Sequence, residues 1–161
     1  MSKAIFFDRD GVINRERGDY TYKTKDFVIN EGVIDTLITL SNYGYLLIII
    51  SNQGGISKNL YSKNDVEILH QYLISELEKH HIKISEIYYC PHHSINEKCL
   101  CRKPGSLLFE KAIARFNIDI QHSYMIGDSQ RDIIAAEKTG IKGIKIEPND
   151  DIREILKQIV K

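Results

Sequence analysis

Neither sign of charge is in excess in this chain: 22 lysines and arginines stand against 22 aspartates and glutamates in 161 residues. A nucleic-acid surface is usually built on a basic excess, so no nucleic-acid partner is expected. No apolar run approaches the roughly 20 residues of a membrane span, and no signal-peptide pattern follows Met1. The expectation is a cytoplasmic protein with no membrane partner. Cysteine is scarce and odd in number, three residues between Cys90 and Cys101, which argues against a secreted disulfide framework. No internal repeat, low-complexity tract or domain boundary interrupts the chain. Its length suits a single domain over residues 1–161 with an ordinary core, expected as a monomer rather than an oligomer.

What is present begins with Lys3 to Asn14. Ala4, Ile5, Phe6 and Phe7 form a short continuous apolar segment, suited to a strand buried on both faces. Asp8-Arg9-Asp10-Gly11 follows it directly. Two acids at the end of a central parallel strand sit where open α/β sheets bind ligands. So close together they repel unless a cation lies between them, which suggests Mg²⁺ with oxygen ligands. For an isolated Asp-x-Asp-Gly a helix N-cap or a surface turn is the commoner reading, so the rest of the chain decides. An EF-hand is excluded, because its sixth loop position, counted from Asp8, is Ile13 rather than Gly.

The remaining chain alternates. Arg15 to Lys25 is polar, with Arg15, Arg17, Asp19, Tyr20 and Tyr22, and reads as a loop, either solvated or substrate-facing. Asp26 to Ile29 reads as a short extended piece. Val33, Ile34, Leu37 and Leu40 recur at helical spacing up to Gly44. Tyr45 to Ile50 is a second buried strand, ending in Ser51-Asn52-Gln53-Gly54-Gly55. That string is not a P-loop, since the Gly-Lys-Ser/Thr ending is absent. Ser62 to His80 is an amphipathic helix with Ser62 as N-cap and Val66, Leu69, Leu73 and Leu77 as its stripe. His70, His80 and His81 read as surface or helix-end residues. Glu86 to Tyr89, Ser123 to Ile126 and Gly143 to Ile146 are further strands. Helices at Leu107 to Phe116, Ile133 to Thr139 and Asp150 to Val160 separate and close them. Such alternation indicates a parallel sheet wound on both faces.

Cys90, His92, Cys99 and Cys101 offer three thiolates and one imidazole within twelve residues, the donor set of a tetrahedral structural zinc site. Four protein ligands leave no open position, so this zinc is expected to be structural. His93 is either turned away or a spare ligand. Arg102-Lys103 follows at once, placing cations where an anion could meet them.

Taken together, the chain resembles phosphatases of the haloacid dehalogenase superfamily. Four elements carry the resemblance, in order over nearly the whole chain. They are Asp8-Arg9-Asp10-Gly11-Val12, Ser51 after the second strand, Lys103 before a helix, and Gly127-Asp128 with Asp132 after the fourth strand. The resemblance implies a Rossmann-like parallel sheet of order 3-2-1-4-5. It also implies an aspartyl-phosphate on Asp8, and Asp10 as the proton donor and acceptor. Mg²⁺ would be held by Asp8, the Asp10 backbone carbonyl and Asp128. Ser51, Asn52 and Lys103 would bind the phosphoryl oxygens, and Asp132 would orient a metal-bound water or Lys103.

The cysteine–histidine cluster before Arg102-Lys103-Pro104, without an inserted cap domain, narrows the resemblance to two families. These are the D-glycero-D-manno-heptose 1,7-bisphosphate phosphatases and, as the alternative, the histidinol-phosphate phosphatases. Gly18-Asp19-Tyr20, Asn52-Gln53 and Gly105 to Leu108 look like the heptose enzymes. That likeness implies a sugar bisphosphate substrate bounded by Glu16, Arg17, Gly18, Asp19, Asn52, Gln53, Gly54 and Arg102. A silent zinc-stapled interaction module would account for the cysteines but not for acids at three strand ends. A two-component receiver would use an acidic pocket and Mg²⁺ but has no place for the zinc loop.

Overall fold

Every residue of β1 (Ala4–Phe7) is buried, because this strand lies in the middle of the sheet with a core on each side. The computed structural model describes residues 1–160. β2 (Leu46–Asn52) and β4 (Tyr124–Gly127) flank β1, with β3 (Glu86–Cys90) and β5 (Lys142–Lys145) at the edges. All pairings are parallel, giving the order β3-β2-β1-β4-β5. Register aligns Phe7 with Ile49 on one side and Ile126 on the other. The segments after these three strands therefore emerge together at the carboxyl edge, where order reverses between β2-β1 and β1-β4. That reversal opens a crevice for a ligand.

Alternating side chains of β1 supply the two cores. Ile5 and Phe7 pack with Val33, Leu37 and Leu40 of α1 (Val33–Asn42) and Leu69, Leu73 and Leu77 of α2 (Lys63–Glu78). Ala4 and Phe6 pack with Leu108, Phe109 and Ala112 of α3 (Leu107–Phe116) and Ala135 and Ala136 of α4 (Gln130–Glu137). The Phe6 and Phe109 rings lie 5.1 Å apart, tilted, a pair worth about 0.5–1.5 kcal/mol beyond its buried area. Ser62 caps α2 as expected. Its hydroxyl accepts from Asp65 N, and the Asp65 carboxylate accepts from Ser62 N at 2.7 Å, so two orphan amides are satisfied together.

Three expectations need correction. Thr24–Asp26 forms a 3₁₀ turn rather than the start of an extended piece. Phe27 leaves that turn into the core, and only Ile29 bridges a neighbour, Asn14. The closing helix is a 3₁₀ turn, Ile152–Ile155, leading into the short α5 (Leu156–Ile159). The tighter winding stacks Ile152 and Ile155 on one face, where both are buried. Finally, His70 is neither at the surface nor at a helix end. It is 5% exposed in mid-helix, on the buried stripe of Val66, Leu69, Leu73 and Leu77. His80 and His81 are exposed beyond the helix.

No inserted domain covers the carboxyl edge among the described residues; the chain passes between elements through loops and short 3₁₀ turns. Among the described residues no helix is long and apolar enough to cross a membrane.

Candidate active site

Asp8 follows β1 directly and its amide donates to Ile126 O at 3.0 Å, which ties it to β4. Lys103, 2% exposed, reaches the same point from the loop before α3. Its ammonium lies 2.8 Å from Asp8 Oδ1 and 2.7 Å from Asp132 Oδ1, and donates to Ile50 O at 2.7 Å. Asp128 follows β4, and its carboxylate clusters with those of Asp8 and Asp132 within 4.8 Å. Gly11 makes this approach possible. A β-carbon there would sit 1.9 Å from Asp128 Oδ2, and its φ of +87° is one that side chains rarely adopt.

Three carboxylates around one ammonium leave two negative charges uncompensated. Burial, with the charge of Asp132 against the pull of Lys103, pushes Asp8 up to about 7. Burial and Asp132 push Asp128 up to about 6. Burial would lower Lys103, but Asp8 and Asp132 outweigh it and hold the ammonium above its ordinary value. A hard divalent cation supplies the missing charge and accepts oxygen ligands, so the donor set fits Mg²⁺.

Asp10 is separated from that crowd by a cation of its own. Arg9, 0% exposed, donates from Nη2 to Asp10 Oδ1 at 3.0 Å and to Thr21 O at 2.7 Å. Asn14 Nδ2 also meets Oδ1 at 3.0 Å, and Gln53 Nε2 meets Oδ2 at 3.1 Å. Burial alone would raise Asp10; Arg9 and these hydrogen bonds outweigh it and keep the carboxyl below its ordinary value.

The cleft above these groups measures about 430 Å³. Asp8, Asp10, Asp128, Lys103, Glu16, Gly18, Asp19, Asn52, Gln53, Gly54 and Arg102 all line it. Two expected residues do not. Arg17 turns away to Asp26 Oδ1 at 3.6 Å and to Thr21 Oγ1 at 3.4 Å. Ser51 is buried below the floor and accepts from Gln53 Nε2 at 2.7 Å. Asn52 faces Lys103 twice, Oδ1 accepting from its amide at 3.0 Å and Nδ2 donating to its carbonyl at 3.1 Å.

His93 and Arg131 also line the cleft and were not expected there. Arg102 is fixed by donation to His92 O at 3.1 Å. A β-carbon on Gly54 would come within 3.0 Å of Arg102 Nη1 and 2.8 Å of His93, so the bare glycine lets this rim close in. Burial, Lys58, Arg102 and Arg131 all disfavour protonated His93, the mark of a concentrated positive rim. Asn149, distant in sequence, clasps the front loop. Its Oδ1 accepts from Glu16 N at 2.7 Å and its Nδ2 donates to Glu16 O at 3.0 Å.

Behind Arg102 lies the second cluster. Cys90, His92, Cys99 and Cys101 bring one donor atom each within 4.8 Å of the others. Cys90 Sγ lies 3.1 Å from Cys101 Sγ and 3.7 Å from Cys99 Sγ, while His92 Nδ1 lies 3.2 Å from Cys101 Sγ. A tetrahedron with Zn–S bonds of about 2.3 Å has edges of roughly 3.8 Å, so the donors are already gathered to nearly that size. The set fits zinc. His93 stands outside it, its Nδ1 accepting from Ile95 N.

A parallel sheet of this order, with acids after β1 and β4 and a lysine between them, is the arrangement that the resemblance to haloacid dehalogenase-like hydrolases implied. A family model described as HAD-hydrolase-like matches residues 100–154. A Haemophilus ducreyi protein named D-glycero-beta-D-manno-heptose-1,7-bisphosphate 7-phosphatase is 39% identical over 146 residues, 87% of this chain and 80% of its own. A Campylobacter jejuni protein named for the alpha anomer is 39% identical over 153 residues, 95% of this chain and 86% of its own. The solved D,D-heptose 1,7-bisphosphate phosphatase from B. bronchiseptica, complexed with magnesium and phosphate, has the same fold. Its TM-score is 0.86 at 24% identity, over 97% of this chain and 86% of that one. The chain belongs to the D-glycero-D-manno-heptose-1,7-bisphosphate 7-phosphatase family, and is a phosphatase.

Proposed function

We propose that this phosphatase removes one phosphate from D-glycero-D-manno-heptose 1,7-bisphosphate through an aspartyl-phosphate on Asp8. The observation that carries the substrate is the cationic rim of Arg102 and Arg131, with the His93 imidazole beside them, which shares one cleft with Asp8 and Lys103. A monophosphate uses only the inner charges; a second phosphate gives the rim a partner. A guanidinium matches a phosphate's paired oxygens in a fork.

Asp8 attacks phosphorus, and the bond to the sugar oxygen breaks as the new P–O bond forms. Lys103 holds Asp8 in place and meets the phosphoryl oxygens, with Asp132 anchoring its ammonium. Asp10 gives a proton to the leaving sugar oxygen, then takes one from the water that attacks the phosphoaspartate, releasing phosphate and freeing Asp8. Arg9, Asn14 and Gln53 favour ionised Asp10, which suits the second duty. For the first, the incoming phosphate dianion raises its proton affinity as a like charge does. Asp8, Asp128 and the Asp10 backbone carbonyl would hold Mg²⁺, which would supply charge neutralisation at the phosphoryl oxygens. Zinc on the three cysteines and His92 would brace the loop that delivers Arg102 and Lys103.

The relatives are named for both anomers, so the deciding assay compares kcat/KM for the α and β heptose bisphosphates, histidinol phosphate and a small aryl phosphate. The bisphosphates should be preferred by at least about tenfold, the yield of one charge-assisted contact. Equal kcat/KM across the panel would remove the substrate assignment. Full activity after chelation and without Mg²⁺ would remove the metal.

A further inference from the structure

We propose that His70 and Tyr61 are positioning residues for Asp10, acting through Arg9 and Gln53. The inference rests on the reading of Asp10 as proton donor and acceptor. Neither residue lines the cleft, and both are buried.

His70 Nε2 lies 3.2 Å from Arg9 Nη1. A guanidinium offers only donors, so Nε2 is the acceptor and the imidazole is neutral, with its proton on Nδ1. Arg9 is thereby held at three points: the Asp10 carboxylate, the Thr21 carbonyl and His70. The choice of a neutral acceptor matters. A carboxylate at position 70 would share the guanidinium's charge and weaken its hold on Asp10. An aliphatic residue there would leave a buried donor unpaired, and such donors are costly.

Tyr61 works on the other oxygen. Its hydroxyl donates to Gln53 Oε1 at 2.7 Å. That contact sets which end of the amide faces inward, so Nε2 donates to Asp10 Oδ2 and Ser51 Oγ. With the amide reversed, an oxygen would face the carboxylate and repel it. The Tyr61 ring is itself held, stacked on Tyr22 at 4.8 Å and edge-on to Tyr20 at 5.7 Å. Both Asp10 oxygens are therefore aimed by donors whose own positions are fixed from behind. A proton-transfer group misplaced by a fraction of an ångström loses rate rather than affinity.

The test measures kcat and KM on the aryl phosphate for Tyr61→Phe, His70→Leu and His70→Gln, each alone and combined with Asp10→Asn. Tyr61→Phe and His70→Leu should each lower kcat roughly tenfold, the scale of one hydrogen bond, with KM within about twofold. His70→Gln, whose amide oxygen can accept from Arg9, should recover most of the loss. In the Asp10→Asn background the second substitution should cost nothing more. Equal losses in both backgrounds, or a raised KM with kcat unchanged, would overturn the proposal. Tyr61→Phe removes a single oxygen, so it carries the test if His70→Leu does not fold. Asp10→Asn measured alone separates the two claims, since wild-type turnover there would sink the role of Asp10 itself.

Discussion

At the carboxyl edge of the sheet Asp8, Asp128 and Asp132, the last in the first turn of α4, surround a lysine, whereas Cys90 at the end of β3 and His92, Cys99 and Cys101 on the loop after it surround one another. The carboxylates come from opposite ends of the chain and meet only because parallel register brings β1 and β4 together. The sulfur and imidazole donors lie within twelve residues and meet by local folding of one loop back onto the end of β3. The acid cluster opens on a cleft and keeps uncompensated charge, so a bound cation there still has room for a substrate oxygen. The thiol cluster fills four positions from the chain itself and leaves none. One arrangement suits chemistry, the other support. Arg102 joins them, its amide donating to Cys99 Sγ at 3.4 Å while its side chain lines the cleft.

The hardest test of that contrast is Asp8→Asn. Turnover and phosphoenzyme formation should vanish, because an amide is neither charged nor nucleophilic. The fold should survive, and the melting temperature without Mg²⁺ should not fall, since one of three crowded charges is gone. A large drop would mean that the acid cluster is structural after all.

Next in size is metal removal. Stripping all metal and restoring only Mg²⁺ should return activity in part, because the loop holding Lys103 stays unbraced. With zinc proposed on this loop, elemental analysis should find one zinc per chain in the wild type and none in Cys101→Ser, whose activity should match the partial level. Full recovery with Mg²⁺ alone would separate the two clusters.

Arg102→Ala should be smaller and selective. On the bisphosphate, kcat/KM should fall by roughly 10- to 100-fold, equivalent to about 1.5–3 kcal/mol. The aryl phosphate has no second charge for the rim and should be nearly unaffected. Equal losses on both would move Arg102 into the reacting centre.

The smallest effect concerns stability. Burial and the neighbouring Arg9 push His70 down to about 3. Between that value and the ordinary 6.5 the unfolded chain binds the proton and the folded one does not, so folding stability is lost as pH falls through this window. The slope is at most about 1.4 kcal/mol per pH unit. Urea unfolding at pH 7 and pH 5 should show a steeper loss in the wild type than in His70→Gln. The comparison cancels the acid cluster, whose raised carboxyls titrate in the opposite sense in both proteins. Parallel losses would mean that His70 is protonated in the folded state.

Asp8, Asp10, Asp128 and Lys103 were legible because each follows a recognisable signal: an apolar strand run, or a cysteine cluster. The parallel sheet was legible from the alternation of helix and strand, and its order from the family resemblance alone. Arg17 was misplaced because a loop's charge pattern does not say which way its side chains turn, and here Asp26 takes that arginine. His70 was missed although it falls at a core position of α2's stripe; an apolar period finds the buried face but passes over the polar residue upon it. Asn149 carried no signal, since its partner Glu16 is 133 positions away.

By itself the sequence determined the chemistry available, because strand periodicity and turn residues act over a few neighbours and place each acid at the end of its own element. Only the tertiary structure decided which groups share charge. Whether an aspartate is paired, crowded or aimed depends on distances between residues far apart in the chain. Asp8 shares its lysine with two other acids, whereas Asp10, two residues on, has Arg9 to itself. Coulomb energy in a buried site falls off over ångströms of space and is blind to separation along the chain.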